Sequence, residues 1–220
     1  MTTQEKNGIT EGVIWKQLLI FFFPILVGSF FQQLYNTVDS VIVGQFVGKE
    51  ALSSVGGSAG QIISLVVGFF TGVSTGATVI ISQYFGAGKK EEIEESLHTA
   101  YAFALVGGLV LGIAGIVFAP QMLRWMNTPE ELIAESVLYV RVYFSGLIFI
   151  FIYNMGAAIL RAVGDSKRPL YYLIVCSVVN IILDLLLILV IPLGVLGAAI
   201  ATLIAQAVSA VLVTVTLMYR

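Results

Sequence analysis

The sequence predicts an all-α integral membrane protein, a six-transmembrane-helix bundle with both termini in the cytoplasm. Three observations carry this reading. Hydrophobic residues make up 58% of the 220 residues, and the mean hydropathy is +0.98. Charged residues make up only 11%, against about 25% in soluble domains. Apolar runs long enough to cross a bilayer recur along the chain, separated by short segments rich in Gly, Pro and charge. A soluble fold of this size could not hide so much apolar surface, whereas lipid accepts it.

The same counts exclude several functions. A net charge of -2, with few and dispersed lysines and arginines, offers no surface for nucleic acid. Cys176 is the single cysteine and lies in an apolar run, so it forms no internal disulfide and reads as a buried, inert thiol. Residues 1–15 read as a polar cytoplasmic segment. No cleavable signal pattern follows it, because the first apolar run is too long and lacks a small-residue cleavage site.

A bilayer's hydrocarbon core takes about 20 apolar residues per helix. Within a transmembrane unit at 16–220, spans fall near 16–47, 53–82, 97–119, 135–160, 169–191 and 195–219. The first is longer than needed and contains Pro24, so a tilt or kink is expected there. The connectors hold breakers and charge: Gly48-Lys49-Glu50, Gly86 through Glu92, Asn127 through Glu131, Gly164 through Pro169, and Pro192-Leu193-Gly194. Trp15, Trp125 and Tyr219 lie near span ends, where interfacial aromatics anchor.

An even number of spans puts both termini on one side, and positive charge chooses it. That side holds Lys6, Lys16, Lys89, Lys90, Arg161, Lys167, Arg168 and Arg220, while the other has Lys49, Arg124 and Arg141. Eight against three makes the first side cytoplasmic. Small residues recur every fourth position at Gly68, Gly72 and Gly76, at Gly108 and Gly112, and at Gly197, Ala201 and Ala205. Such faces allow close helix packing in lipid, and packing within the bundle accounts for all of them.

Of thirteen acidic residues, only Asp39 and Asp184 lie well inside spans. A carboxyl at membrane depth is costly and therefore a functional-site candidate. Gln32, Tyr35, Asn36 and Asp39 stand at i, i+3, i+4 and i+7, which makes one polar stripe on the first span. Ser177, Asn180 and Asp184 repeat the stripe on the fifth. Such stripes must face the bundle or water. Counting inward from Gly48, Pro192 and Gly194 puts Asp39, Asp184 and Thr202 at a common depth of about 12–14 Å. Gln61 reaches a similar level, and Tyr139 enters from the same side. Two carboxylates, an amide carbonyl and a hydroxyl would suit Na+, a hard cation, and two adjacent buried acids would equally share a proton.

Other signals lead elsewhere. Gly86-Ala87-Gly88-Lys89 lacks the spacer and the Ser or Thr of a phosphate loop, so an ion gradient is the expected energy source. Gly56-Gly57-Ser58-Ala59-Gly60 fits the G-x-S-x-G form of serine hydrolases. The only histidine, His98, lies most of a bilayer away from Ser58, so an enzyme is not expected. His98 reads as interfacial, and the acidic run from Glu91 to Glu95 as a solvated helix start.

Taken in order, the residues resemble the MATE family of multidrug and toxic compound extrusion antiporters. The likeness rests on Pro24 with Gln32-Gln33-Leu34-Tyr35-Asn36-Thr37-Val38-Asp39 and Val43-Gly44. It continues through Ile159-Leu160-Arg161-Ala162-Val163-Gly164-Asp165 before Pro169, Asn180 with Asp184, and Gly194 through Thr202. The resemblance implies the N-terminal six-helix lobe of a twelve-helix transporter, closest to the DinF-like branch. It implies secondary active multidrug efflux by cation/drug antiport, with H+ or Na+ as coupling ion, no other cofactor, and small organic cations or drugs as substrates. Asp39, Asp184, Asn180, Thr202 and Tyr139 would form the cation or proton site, with Na+ at the first four. Gln33, Tyr35, Asn36 and Gln61 would line the substrate cavity, and Pro24 would be the hinge of helix one.

The family's two lobes are parallel repeats, so the resemblance further implies a half-transporter in the inner (plasma) membrane that pairs with a second six-helix lobe. A second copy, in a homodimer, would share its topology. A lipid flippase of the same superfamily and a non-transporting structural half are the alternatives; the acidic or neutral cavity positions disfavour the flippase.

Overall fold

The structure, a computed structural model, describes residues 13–219. Most of the cytoplasmic segment expected at 1–15, with Lys6 and Arg220 of the charge count, lies outside them. Eight α-helices account for the fold: α1 (Ile14–Ile42), α2 (Lys49–Gly56), α3 (Ser58–Gly86), α4 (Lys90–Trp125), α5 (Glu130–Ser145), α6 (Leu147–Ala162), α7 (Lys167–Asp184) and α8 (Val195–Met218). Two π-helical turns, Val43–Val47 and Leu185–Val190, extend α1 and α7.

By length and apolarity these elements supply five crossings, or six with the bent pair α5–α6 taken as one. Three are Ile14–Val47, Lys90–Trp125 and Lys167–Val190, and α8 is a fourth. The segment Lys49–Gly86 combines α2 and α3, and α5 with α6 forms one crossing bent by 49°. Two of these segments, α2–α3 and α5–α6, are interrupted.

Both breaks have a glycine and a reason. At Gly57 the chain turns so tightly that an added Cβ would stand 2.5 Å from the carbonyl oxygen of Ser53. Gly57 therefore serves as an elbow between α2 and α3, inside the hydrolase-like run. At Gly146 an added Cβ would stand 2.8 Å from Leu203 Cγ of α8. The bend of span four therefore lies where α8 leaves little room for a side chain.

α6 is the central helix, packed on α3, α4 and α8. Its residues Leu147, Phe151, Met155 and Leu160 are fully enclosed. Phe70 of α3 stacks on Phe151 with ring centroids 3.6 Å apart. Gly108 and Gly112 let α4 approach, since a Cβ on Gly108 would meet the Cα of Ile148 at 2.7 Å. Large apolar side chains such as Leu65, Phe69, Val106 and Val110 cover the outside instead. That inversion suits a lipid solvent, because lipid tails are as apolar as the residues they touch.

The glycines of α3 behave differently. A Cβ on Gly68, Gly72 or Gly76 would meet nothing within 4 Å. This stripe does not pack inside the bundle, contrary to the expectation that bundle packing explains every small-residue face. Beside it Gln61, Ser64, Thr71 and Thr75 are exposed, as are Gln32, Gln33, Asn36, Thr37 and Ser40 of α1.

Candidate functional site

The site begins with two helices that each carry a carboxylate just before a π-helical turn. Asp39 stands one turn before Val43, where α1 widens, and Asp184 is the last α-helical residue of α7. A π turn admits an extra residue and redirects the chain, and such turns cluster at functional sites. The two π turns pack against each other, and α1 lies along α7. This pairing brings Asp39 and Asp184 face to face within hydrogen-bonding reach.

Asp184 is fully buried, and among the described residues no N–H or O–H reaches either of its oxygens or the Oδ1 of Asp39. Buried polar atoms are normally hydrogen-bonded, and two bare carboxylates in contact repel. The arrangement is stable only with something positive between them, a proton or a cation.

The next shell supplies more oxygen. Asn180, one turn before Asp184, is buried and donates its Nδ2 to Thr202 Oγ1 over 3.5 Å, leaving its own Oδ1 without a donor. Asp39, Asp184, Asn180 and Thr202 therefore come together as a set of hard oxygen atoms, several orphaned. Hard cations prefer such donors, so the residues present fit Na+ as well as a shared proton.

Tyrosines close the site. The buried Tyr139 lies close enough to interact electrostatically with both carboxyls, and Tyr35 and Tyr143 with Asp39. The rings of Tyr139 and Tyr143 are 6.2 Å apart. Tyr35 reaches the side chain of Gln206 on α8. Cys176 is buried and free, near both Tyr35 and Tyr143.

Tyr35, Tyr143 and Gln206 also line a cavity of about 250 Å³ that runs past Pro24, Gln32 and Asn154 to Arg161. The remaining sequence candidates stand apart from the carboxyls. Gln33 and Asn36 are exposed on α1 and Gln61 on α3, on the polar outward face described above. Tyr143 and Gln206 are not among the sequence candidates, yet each lies one helical turn beyond one that is, Tyr139 and Thr202. His98 is exposed, with its Nδ1 2.8 Å from the carbonyl of Glu94.

Comparison with known proteins places this geometry. The MatE family model matches residues 24–186. "Probable multidrug resistance protein YoeA" of Bacillus subtilis (strain 168) is 34% identical over 208 residues, covering 93% of this chain and 44% of the relative. "Probable multidrug resistance protein YpnP" of the same organism is 34% identical over 203 residues, covering 91% of this chain and 45% of the relative. Among solved structures, the outward-facing conformation of a multidrug resistance MATE family transporter of the MOP superfamily superposes with a TM-score of 0.91. It is 27% identical, covering 99% of this chain and 48% of that one. The chain thus spans about half the length of the relatives it matches. On the family match and the apolar helices together, the chain belongs to the MatE family and is a multi-pass protein of the inner membrane.

Proposed function

We propose that this chain is one lobe of a cation/drug antiporter, coupled to H+ or Na+ at the Asp39–Asp184 pair and working by alternating access. The observation that carries the reading is the carboxyl pair, with Asp184 fully buried and Asp39 half-buried, of whose oxygens three have no donor among the described residues. A site built this way binds a positive charge by default and gives it up only when something else compensates.

In this mechanism the cation arrives from the outer side, neutralises the pair and draws α1 towards α7. α1 bends near Pro24, and bound drug is released outward. Cation and drug then oppose each other, with a coupling energy of about 1–3 kcal/mol. Tyr139 and Tyr143 position the pair, while Asn180 and Thr202 complete its oxygen shell. Small organic cations are the substrate class that an acidic site expels on neutralisation.

A second lobe completes the machine. The exposed polar residues of α1 and α3, with the unpacked Gly68, Gly72 and Gly76, form a face that lipid cannot satisfy. In this reading that face meets a second six-helix lobe across a water-filled cleft, and Gln33, Asn36 and Gln61 line the cleft. A second copy of the chain is one such partner.

The test is dye efflux from proteoliposomes holding this chain, with imposed proton or sodium gradients, beside Asp39→Asn. Efflux driven by one gradient and lost in the variant is the expected result and identifies the ion. Equal coupled efflux by Asp39→Asn refutes the assignment. A chain that stays monomeric in mild detergents and nanodiscs, and gains efflux only with a separate second lobe, removes the homodimer.

A further inference from the structure

Arg161 is a basic side chain that lines three cavities. It stands in the last turn of α6, partly buried, and no hydrogen bond or ion pair to its guanidinium occurs among the described residues. A guanidinium offers five N–H donors and cannot shed its charge. Leaving it unpaired beside apolar walls is expensive, so an anion from outside the chain is the natural partner.

The surroundings say what carries that anion. One of the three cavities, about 330 Å³, is a groove between the start of α1, the end of α3 and the end of α6. Ile14, Leu18, Phe21 and Phe85 make its walls apolar. Ile14 and Leu18 are 77% and 61% exposed, so the groove opens sideways to lipid. Arg161 lies three residues before the Gly164 turn, which sets its Cα about 4.5 Å beneath the connecting loop. That is the depth of a lipid phosphate rather than of the hydrocarbon core. Lys16 and Lys167 flank the region, both exposed. The nearby acid Asp165 is already engaged, with Arg168 Nε at 3.4 Å.

We infer that Arg161 and this groove form a binding site for an anionic phospholipid, its phosphate on the guanidinium and one acyl chain along Ile14, Leu18 and Phe85. Basic pockets between helices on the cytoplasmic side recognise such headgroups. The cytoplasmic assignment of this face follows from its excess of positive charge and from the function proposed above; the binding itself does not depend on transport.

Native mass spectrometry of the full chain, released from nanodiscs of equal phosphatidylglycerol and phosphatidylcholine, reads the site directly. Phosphatidylglycerol should be retained preferentially. Arg161→Gln should lower that preference about fivefold, with Arg161→Lys intermediate and Lys167→Gln close to the parent. Leu18→Trp keeps the charge but fills the groove, and it should also lose the lipid, which covers the case of an unfolded Arg161→Gln. Preference unchanged in Arg161→Gln, or lowered equally by Lys167→Gln, overturns the site. Displacement of the lipid by millimolar inorganic phosphate or dihexanoyl glycerophosphate as effectively as by a long-chain lipid overturns the lipid as occupant, leaving a simple anion pocket.

Discussion

Arg141 of α5 donates its Nε–H to the carbonyl of Ile116 on α4, at 3.2 Å. Pro120 stands four residues beyond Ile116, inside the same helix, and has no N–H to offer that carbonyl. The arginine thus closes a gap that the proline opens. In lipid an unsatisfied carbonyl costs more than it does in water, which gives a charged residue on an exposed surface a structural purpose. The arginine that the sequence left without a role is a staple between two helices.

This pairing predicts a specific non-additivity. Arg141→Met should destabilise the protein by about 1–3 kcal/mol, the cost of a carbonyl left without a donor on a lipid-facing surface. Pro120→Ala restores a backbone donor to Ile116, and in that background Arg141→Met should cost much less. Thermal unfolding of the four variants in one detergent measures the coupling. An equal loss in both backgrounds would show that the arginine contributes packing or charge and not the missing bond.

Pro24 presents the opposite case. It stands inside α1, so the carbonyl of Ile20 loses its helical donor, and no side-chain donor to it occurs among the described residues. A stapled proline holds its helix, whereas an open one leaves a place to bend. Pro24→Ala should therefore stiffen α1 and raise thermal stability slightly, while slowing turnover of the reconstituted transporter. Measuring turnover and melting temperature on the same preparations separates the two effects. Faster turnover, or unchanged turnover with raised stability, would count against a hinge.

How much of this was legible in the sequence depended on whether local spacing carried the information. The apolar helices were readable from apolar runs alone, the common level of Asp39, Asp184 and Thr202 from depth counted along helices, and Asn180 from its stripe with Asp184. Tyr143 and Gln206 were within reach, each a turn beyond a residue already suspected. The bend at Gly146 was not, because the close contact there is with Leu203, 57 residues away on α8. The π turns at Val43–Val47 and Leu185–Val190 were hidden too, since a one-residue widening leaves no mark in residue type. Spacing was equally blind to facing: Gly68, Gly72 and Gly76 repeat like Gly108 and Gly112, yet one set looks outward and the other inward.

That difference in facing can be tested by adding one methyl group. At Gly115 a Cβ would fall 1.7 Å from Phe144 Cδ1. Gly115→Ala should cost roughly 1–3 kcal/mol through overpacking, or leave little folded protein. At Gly72 a Cβ meets open space, so Gly72→Ala should leave the lobe's melting temperature unchanged. If that face meets a second lobe, larger substitutions such as Gly72→Leu should weaken pairing without unfolding the lobe. Size-exclusion profiles and melting curves of the three variants distinguish these outcomes. A large loss of stability in Gly72→Ala would mean that the stripe packs inside the lobe after all.

The carboxyl pair yields the prediction with the sharpest sign. Asp184 is buried with both oxygens lacking a donor, opposite Asp39. An amide at this position brings two N–H donors and no charge. Asp184→Asn should therefore remove the repulsion and give Asp39 a hydrogen bond, raising stability by roughly 1–2 kcal/mol. The same change removes one of two acids that hold the coupling cation, so gradient-driven efflux should fall to background. Gain of stability with loss of function is the pattern expected where a site stores unfavourable electrostatics for use. A structural buried acid predicts the reverse, a protein less stable and no less coupled. Added Na+ sharpens the distinction further. If sodium is the ion, it should raise the melting temperature of the parent protein and leave Asp184→Asn unmoved. If the ion is a proton, lowering the pH should stabilise the parent more than the variant, with sodium indifferent to both.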